Sequence, residues 1–426
     1  MRINARLACV VITVILLLAL SPILMASAVG SGSASSSAVE PASLIVVKTS
    51  NSPVCLTSEL CPSMLDKAYG FDVLHSGGTN GTGQTIVIDD ACGDPTIATD
   101  LKTFDAQFGL PNPTLNVIDV QGGKMCVDGG WSVETSLDVE WAHVVAPGAA
   151  IDLLIASQAS PKDVYGAWTY ALTNHLGNQI SDSWGGAGCG SGGCNNTIGQ
   201  GIGPCKSISG VNVASILATA ENQDVTVLGS AGDGGAWGQG TSQVQPIPMD
   251  CKGVLTVGGT TLNVGSSGTY ISESAWSATG GGYTTLPEPG YQSSVGISDS
   301  YNALAKPDVA ADANPSTGVW FYNSGGGGWG VVGGTSLSCP LWAGFMADVN
   351  QIRAANGLSA AGFIQPFLYK TVYGVGGDSS LYATDFHDIT SGNNGWPAGT
   401  GWDADTGLGS FIGPALANTL GTNPKA

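Results

Sequence analysis

Two hydrophobic periodicities alternate along the middle of the chain. Thr85-Ile86-Val87-Ile88-Asp89 is an apolar run of strand length, and from Thr96 to Phe108 apolar side chains recur every three or four positions, as in a helix. The pattern then repeats. Ser132 to Val145 predicts a helix and Ala150 to Ile155 a strand; a helix around Lys162 to His175 precedes a strand at Gln179 to Ser183; and helical Val211 to Asn222 precedes extended Val225 to Leu228. This alternation predicts an α/β fold, a doubly wound and mainly parallel sheet flanked by helices on both faces. Reactive groups in such sheets collect at the carboxyl ends of strands. Gly-rich segments at 185–193 and 325–330 are interrupted or bounded by tryptophan and predict loops.

The amino terminus follows a different pattern. Arg2 and Arg6 precede an almost unbroken apolar stretch from Leu7 to Leu20, and Ala26-Ser27-Ala28 offers a small-residue cleavage site, so residues 1–28 predict a signal peptide. A retained anchor is the alternative, since Leu7 to Met25 is nearly long enough to span a bilayer. Either way the bulk of the protein is expected to be secreted, with no membrane contact beyond this segment. Residues 29–54, rich in Ser, Ala and Val, predict a tail or linker, and residues 55–426 a single large domain.

Charge and cysteine content narrow the function classes. Removing the signal takes away two arginines and no acids, so the remaining charge is 11 − 32 = −21. A surface so poor in Lys and Arg excludes nucleic-acid binding by counterion release, and it tolerates acid because few ion pairs are lost when carboxylates protonate. Nine cysteines remain, at 55, 61, 92, 126, 189, 194, 205, 251 and 339. Export predicts disulfides, with Cys55 to Cys61 and Cys92 to Cys126 as expected pairs and Cys339 as the free thiol. No cysteine or histidine spacing suggests zinc.

The strongest chemical signal is Gly333-Gly334-Thr335-Ser336-Leu337-Ser338-Cys339-Pro340, a small-residue turn that delivers a serine to the start of the apolar pattern Leu341-Trp342-Ala343-Gly344-Phe345. A hydroxyl there faces the free N–H groups and positive dipole end of a helix, where developing negative charge is stabilised. The same serine would also serve as an ordinary N-cap. A nucleophile needs a base, and none of His75, His143, His175 and His387 lies in a His-Gly-Thr context of the subtilisin type. Glu134 and Asp138 are the alternative, four residues apart along the border of the apolar stripe of Val133, Leu137, Trp141 and Val144. They are expected to be adjacent and half-buried, either sharing a proton or complementing the helix dipole. A third acid, Asp233, follows the strand Val225 to Leu228 in a Gly-rich turn, where it serves as a backbone-bonding turn residue or, protonated, as an oxyanion donor.

Together these residues carry a resemblance. Glu134-Thr135-Ser136-Leu137-Asp138, Ala146-Pro147-Gly148-Ala149, Ser183-Trp184-Gly185, Ser230-Ala231-Gly232-Asp233, Lys306-Pro307-Asp308 and Gly334-Thr335-Ser336 with Pro340 resemble, in order, the motifs of the sedolisin family of serine-carboxyl peptidases. The resemblance spans roughly residues 65–414. It implies a subtilisin-like fold with Ser336 as nucleophile, Glu134 as general base and acid, Asp138 as its carboxyl partner and Asp233 as protonated oxyanion donor. It further implies that Asp90 and Trp184 support Glu134, and that Asp388, the carbonyls of Ile389, Gly399 and Gly401, and Asp403 bind one structural Ca2+ in a C-terminal loop. The implied function is an exported, acid-active endopeptidase on polypeptide substrates, expected as a monomer. A catalytically silent relative acting as an exported peptide-binding or adhesive module is the alternative, and a histidine-based subtilisin using His143 or His175 a third reading. Asp90 is shorter than the glutamate usual at its position, and only about 26 residues separate the signal from Cys55 where relatives carry a long propeptide.

Overall fold

The apolar runs assemble into one eight-stranded sheet. The structure is a computed structural model and describes residues 39–41, 45–187, 210–237, 246–249, 251–297 and 301–426. The sheet strands are β1 (Thr85–Ala91), β2 (Leu115–Asp119), β3 (Ala150–Ala156), β4 (Gln179–Asp182), β5 (Thr226–Ser230), β6 (Val254–Val264), β7 (Tyr270–Ala275) and β8 (Val309–Asp312). Their spatial order is β2-β3-β1-β4-β5-β6-β7, with β8 also on β6. All neighbours are parallel except β7, which returns antiparallel along β6. The expected doubly wound sheet is therefore present.

Alternation along β1 divides two cores. Ile86 and Ile88 face the core shared with helices α1 (Ile97–Phe108), α2 (Gly129–Val145) and α5 (Thr335–Ala355), whereas Val87 and Ala91 face the core under α3 (Pro161–Asn174) and α4 (Val213–Asn222). Consecutive residues at the strand end must then part, so Asp90 points toward α2 and Asp89 toward α3. That division places Asp90 beside the candidate acids.

Helix α2 departs from expectation in two respects. It begins at Gly129 rather than Ser132, because Asp128 caps it by accepting from the N–H groups of Gly130 and Trp131 at 2.7 and 3.1 Å. Its acids are not half-buried: Glu134 and Asp138 are both 0% exposed. The reason is tertiary, since α2 packs on the sheet with α5 alongside it, and α1 and the strand Val319–Asn323 cover its other sides. The crossing is close because α5 presents Gly344, where a Cβ would stand 2.7 Å from that of Val145 and 2.8 Å from the Ala142 carbonyl oxygen.

The linker expected over 29–54 is in part folded. Ile45–Ser50 adds an antiparallel strand to the hairpin of Val319–Asn323 and Gly328–Gly333, and Glu40–Pro41 pairs with Trp184–Gly185. Pairing to an existing sheet edge satisfies a backbone whose side chains show no helical or amphipathic period. Residues 1–28 lie outside the described residues, among which no helix is long and apolar enough to cross a membrane.

Cys55–Cys61 and Cys92–Cys126 form the two expected disulfides. Cys339 is buried with a free thiol, and Cys251 is disulfide-bonded. Cys189, Cys194 and Cys205 lie outside the described residues. The Lys306-Pro307-Asp308 segment leads into β8 through a fully buried ion pair of 2.6 Å, in which the Lys306 ammonium also donates to the Val254 carbonyl and Asp308 accepts from the Thr256 N–H. These extra partners compensate the desolvation of both charges.

Candidate active site

Ser336 is the second residue of α5, and the geometry of that helix start follows from its sequence. Gly334 precedes the helix at φ +139°, a conformation side chains avoid, and a Cβ there would stand 2.6 Å from Asp233 Oδ2. Glycine thus admits the carboxyl of the strand β5 turn to the helix mouth. Asp233 Oδ1 is fixed by the Thr335 N–H at 2.8 Å and the Thr335 hydroxyl at 2.7 Å, while the buried Oδ2 has no partner. Burial pushes the acid up to about 6 against these hydrogen bonds, so below that value it carries a proton, available on Oδ2.

Pro340, six residues into α5, has no N–H to give to the carbonyl of Ser336. The Ser183 hydroxyl approaches that carbonyl at 3.3 Å and donates to Asp138 Oδ1 at 2.8 Å, and the Ser336 hydroxyl lies 3.5 Å from the Ser183 carbonyl. Ser183, unanticipated as a participant, therefore links the end of β4 to both α2 and α5.

Glu134 and Asp138 stand on this side of α2 with Asp90 behind them. Burial raises Glu134 well above the usual carboxylate range, the charge of Asp138 adds to the rise, and the hydroxyl of Ser336 opposes it. Burial likewise raises Asp138, with Asp90 adding and the Ser183 hydroxyl opposing. Asp90 itself is pushed up to about 7 by burial, against a hydrogen bond from Thr135. No standard hydrogen bond joins Asp90 to Glu134, consistent with its shorter side chain. Both Glu134 oxygens are buried without a partner of standard geometry, although Ser336 is near enough to lower its proton affinity. A carboxyl group so placed can accept a hydroxyl proton when its own proton is held by Asp138 instead.

Trp184 is placed differently from its expected role. Its indole donates to the backbone carbonyl of Asp89 at 3.0 Å, and its ring packs against Tyr165 and Trp168 on the far side of the sheet. It braces β1 rather than touching Glu134. A second unanticipated feature adjoins it, a buried carboxyl pair of Asp89 and Asp182. An aspartate at or near the carboxyl end of each of two strands was the available signal.

The histidines are engaged elsewhere. His75 meets the Val145 carbonyl at 2.8 Å, and His143 meets the Pro111 carbonyl at 2.7 Å and Asp105 at 3.4 Å. His175 occupies the left-handed end of α3, and His387 stacks on Tyr270 at 3.7 Å. A histidine base for Ser336 is not supported by these contacts.

In the C-terminal loop, the Gly401 N–H donates to both oxygens of Asp388 at 3.1 Å, and the Gly399 N–H to Asp403 at 2.9 Å. The loop thus brings two carboxylates to one short backbone stretch, and both also act on the Tyr373 hydroxyl. Carboxylates and turn carbonyls are hard oxygen donors of the type calcium takes, so the donor chemistry fits, although no cluster of three acidic or other ligating side chains occurs among the described residues.

Comparison with known proteins accords with this arrangement. The subtilase family model matches residues 127–402. Kumamolisin of Bacillus sp. (strain MN-32) is 32% identical over 369 residues, covering 80% of this chain and 61% of that protein. Sedolisin of Pseudomonas sp. (strain 101) is 29% identical over 345 residues, covering 73% and 53%. The solved structure of Pseudomonas sedolisin, a serine-carboxyl proteinase complexed with two molecules of pseudo-iodotyrostatin, superposes with a TM-score of 0.70 at 26% identity, covering 87% of this chain and all of that one. The chain belongs to the subtilase family, in its sedolisin branch. It spans about three fifths of kumamolisin's length and about half of sedolisin's.

The sedolisin-type acid cluster has a consequence for stability. Asp233, Asp90, Glu134, Asp138, Asp89 and Asp182 are all raised by burial, so above about pH 4 the native state holds more protons than the unfolded chain. Their contribution is complete below the unfolded values and is lost as pH rises through the folded ones. His387, lowered to about 4 by burial, and His75, also lowered by burial, act with the opposite sign but are two groups against six. The melting temperature of a Ser336→Ala variant, followed by calorimetry, should fall by at least about 5 °C between pH 4 and pH 7. A flat or rising profile would contradict the assignment of these acids as protonated in the native state.

Proposed function

We propose that this protein is an exported, acid-active serine-carboxyl endopeptidase that hydrolyses polypeptides. The observation that carries this reading is the meeting of Ser336, Glu134 and the proton-bearing edge of Asp233 at the start of α5. Ser336 Oγ attacks the peptide carbonyl while Glu134 accepts its proton, and the O–H of protonated Asp233 faces the developing oxyanion. Glu134 then returns the proton to the leaving amine. Water cleaves the acyl-enzyme by the same route in reverse, again through Glu134. Asp138 shares a proton with Glu134, so that one carboxylate of the pair stays free to accept from Ser336, and Ser183 fixes Asp138 by donating to it at 2.8 Å, while Asp90 stands behind the pair as a neutral acid in the acid range.

The sedolisin relatives support the same chemistry, and the Arg2 to Ala28 pattern supports export. A calcium ion held by the carboxylates of Asp388 and Asp403 with the carbonyls of Ile389, Gly399 and Gly401 would supply structural charge neutralisation in the loop. Those residues then join the strand Phe386–His387 to the segment leading into Ser410–Phe411.

Ser336→Ala and Glu134→Ala should each lower kcat by at least about 10³-fold without loss of fold. Labelling by a fluorophosphonate or peptide-aldehyde probe at low pH should disappear in the serine variant; a Glu134→Ala enzyme with near-normal turnover would remove Glu134 from the mechanism.

Activity on an unfolded protein substrate should peak in acid and fall as pH rises through about 6, where Asp233 loses its proton. Asp233→Asn keeps a donor at every pH, so its alkaline limb should flatten even if its maximum is lower. An unchanged limb would place the controlling ionisation elsewhere.

Because a ligand that binds only the native state stabilises it by RT ln(1 + [L]/Kd), EGTA should lower the melting temperature and added Ca2+ restore it. Asp403→Asn should abolish that response, whereas no shift in a stripped sample would refute the site.

A further inference from the structure

On the face of the sheet opposite Ser336 lies a carboxyl pair that peptide hydrolysis does not use. In the parallel ladder Ile88 of β1 is paired with Ser181 of β4, so the residues that follow, Asp89 and Asp182, stand side by side toward α3. Both are 0% exposed. Asp182 Oδ1 accepts from the Trp168 indole at 2.7 Å, whereas Asp182 Oδ2 and both Asp89 oxygens have no donor of standard geometry, the nearby Trp184 indole being bonded to the Asp89 carbonyl. The other titratable groups around them are Asp90 on β1, Asp138 of α2, Cys339 of α5, whose thiol lies 3.6 Å from the Asp182 carbonyl, and Tyr165 of α3. None of these is a cation.

Two carboxylates are acceptors only, and in an apolar layer they repel without solvent to screen them. A proton between them supplies the missing donor and removes one charge. The residues that follow in the chain are Asp90, behind Glu134, and Ser183, which bonds Asp138.

We propose that Asp89 and Asp182 share a proton and act as positioning residues, joining the ends of β1 and β4 so that Asp90 and Ser183 are held on the catalytic face. Loss of that proton as pH rises sets two charges side by side, parts the strand ends and displaces both residues at once. The active site is in this way released from the far side of the sheet. Burial and mutual repulsion raise both acids, which keeps the pair protonated through the acid range.

The test is made in the full chain carrying Ser336→Ala, so that its structural readout is independent of the peptidase reading. Near-UV circular dichroism and tryptophan fluorescence, to which Trp168 and Trp184 contribute, give the pH at which native structure is lost. Asp89→Asn and Asp182→Asn each keep a donor without a second charge and should move that midpoint upward by at least about half a pH unit. With Ser336 restored, the ratio of activity at pH 6 to that at pH 4 should rise at least threefold through kcat rather than KM. The double variant Asp89→Leu/Asp182→Leu needs no proton and should show the same upward shift. Unmoved midpoints in variants that are native at pH 4 would overturn the proposal. Failure of every neutral variant to fold at pH 4 would also overturn it, since it would show that charge at the pair is required.

Discussion

The structure depends on the burial of carboxyl groups without cations to meet them. Glu134, Asp138, Asp90, Asp89, Asp182 and Asp233 are all shielded from solvent, and the chain as a whole carries 13 basic residues against 32 acidic ones. In that setting the cheapest counter-charge is a proton. Retaining protons lets these acids act as donors, acceptors and shared pairs in a region where fully ionised carboxylates would repel each other. Protons are thus structural components of the fold.

The sheet organises these acids into two layers. Because strand residues alternate, the dipeptide Asp89-Asp90 contributes one carboxyl to each face, and Asp182-Ser183 contributes a carboxyl to one and a hydroxyl to the other. The layer of the candidate site is closed by α2 and α5, whose close crossing at Gly344 brings the Glu134 carboxyl of one helix to the Ser336 hydroxyl of the other. The far layer is closed by α3 and its tryptophan. Strand register therefore couples groups that have no direct contact.

Much of the site was legible as local chemistry. Ser336 announced itself through the glycines before it, and Asp233 through a Gly-rich turn after an apolar strand; both positions follow from backbone rules that short-range sequence obeys. Glu134 and Asp138 were legible as a pair from their helical spacing. Their degree of burial was not, since it depends on what covers the other sides of α2. Ser183 and Thr335 stood within recognised motifs but were given no role, because a hydroxyl gives no pattern of its own until a partner is known. Trp184 shows the converse, a motif residue whose side chain turned out to brace the far layer.

The sequence by itself determined the order of strands and helices, the candidate nucleophile and acids, and the Cys55–Cys61 disulfide, because periodicity, turn chemistry and a six-residue cysteine separation are local. Tertiary structure alone decided that Ile45–Ser50 is a sheet strand, that α2 is enclosed, and that Asp89 meets Asp182 across 92 intervening positions of chain. Those outcomes depend on which edge is free, which helix lies above, and which strands become neighbours. Such quantities are set by packing between distant segments, and no window of the chain contains them.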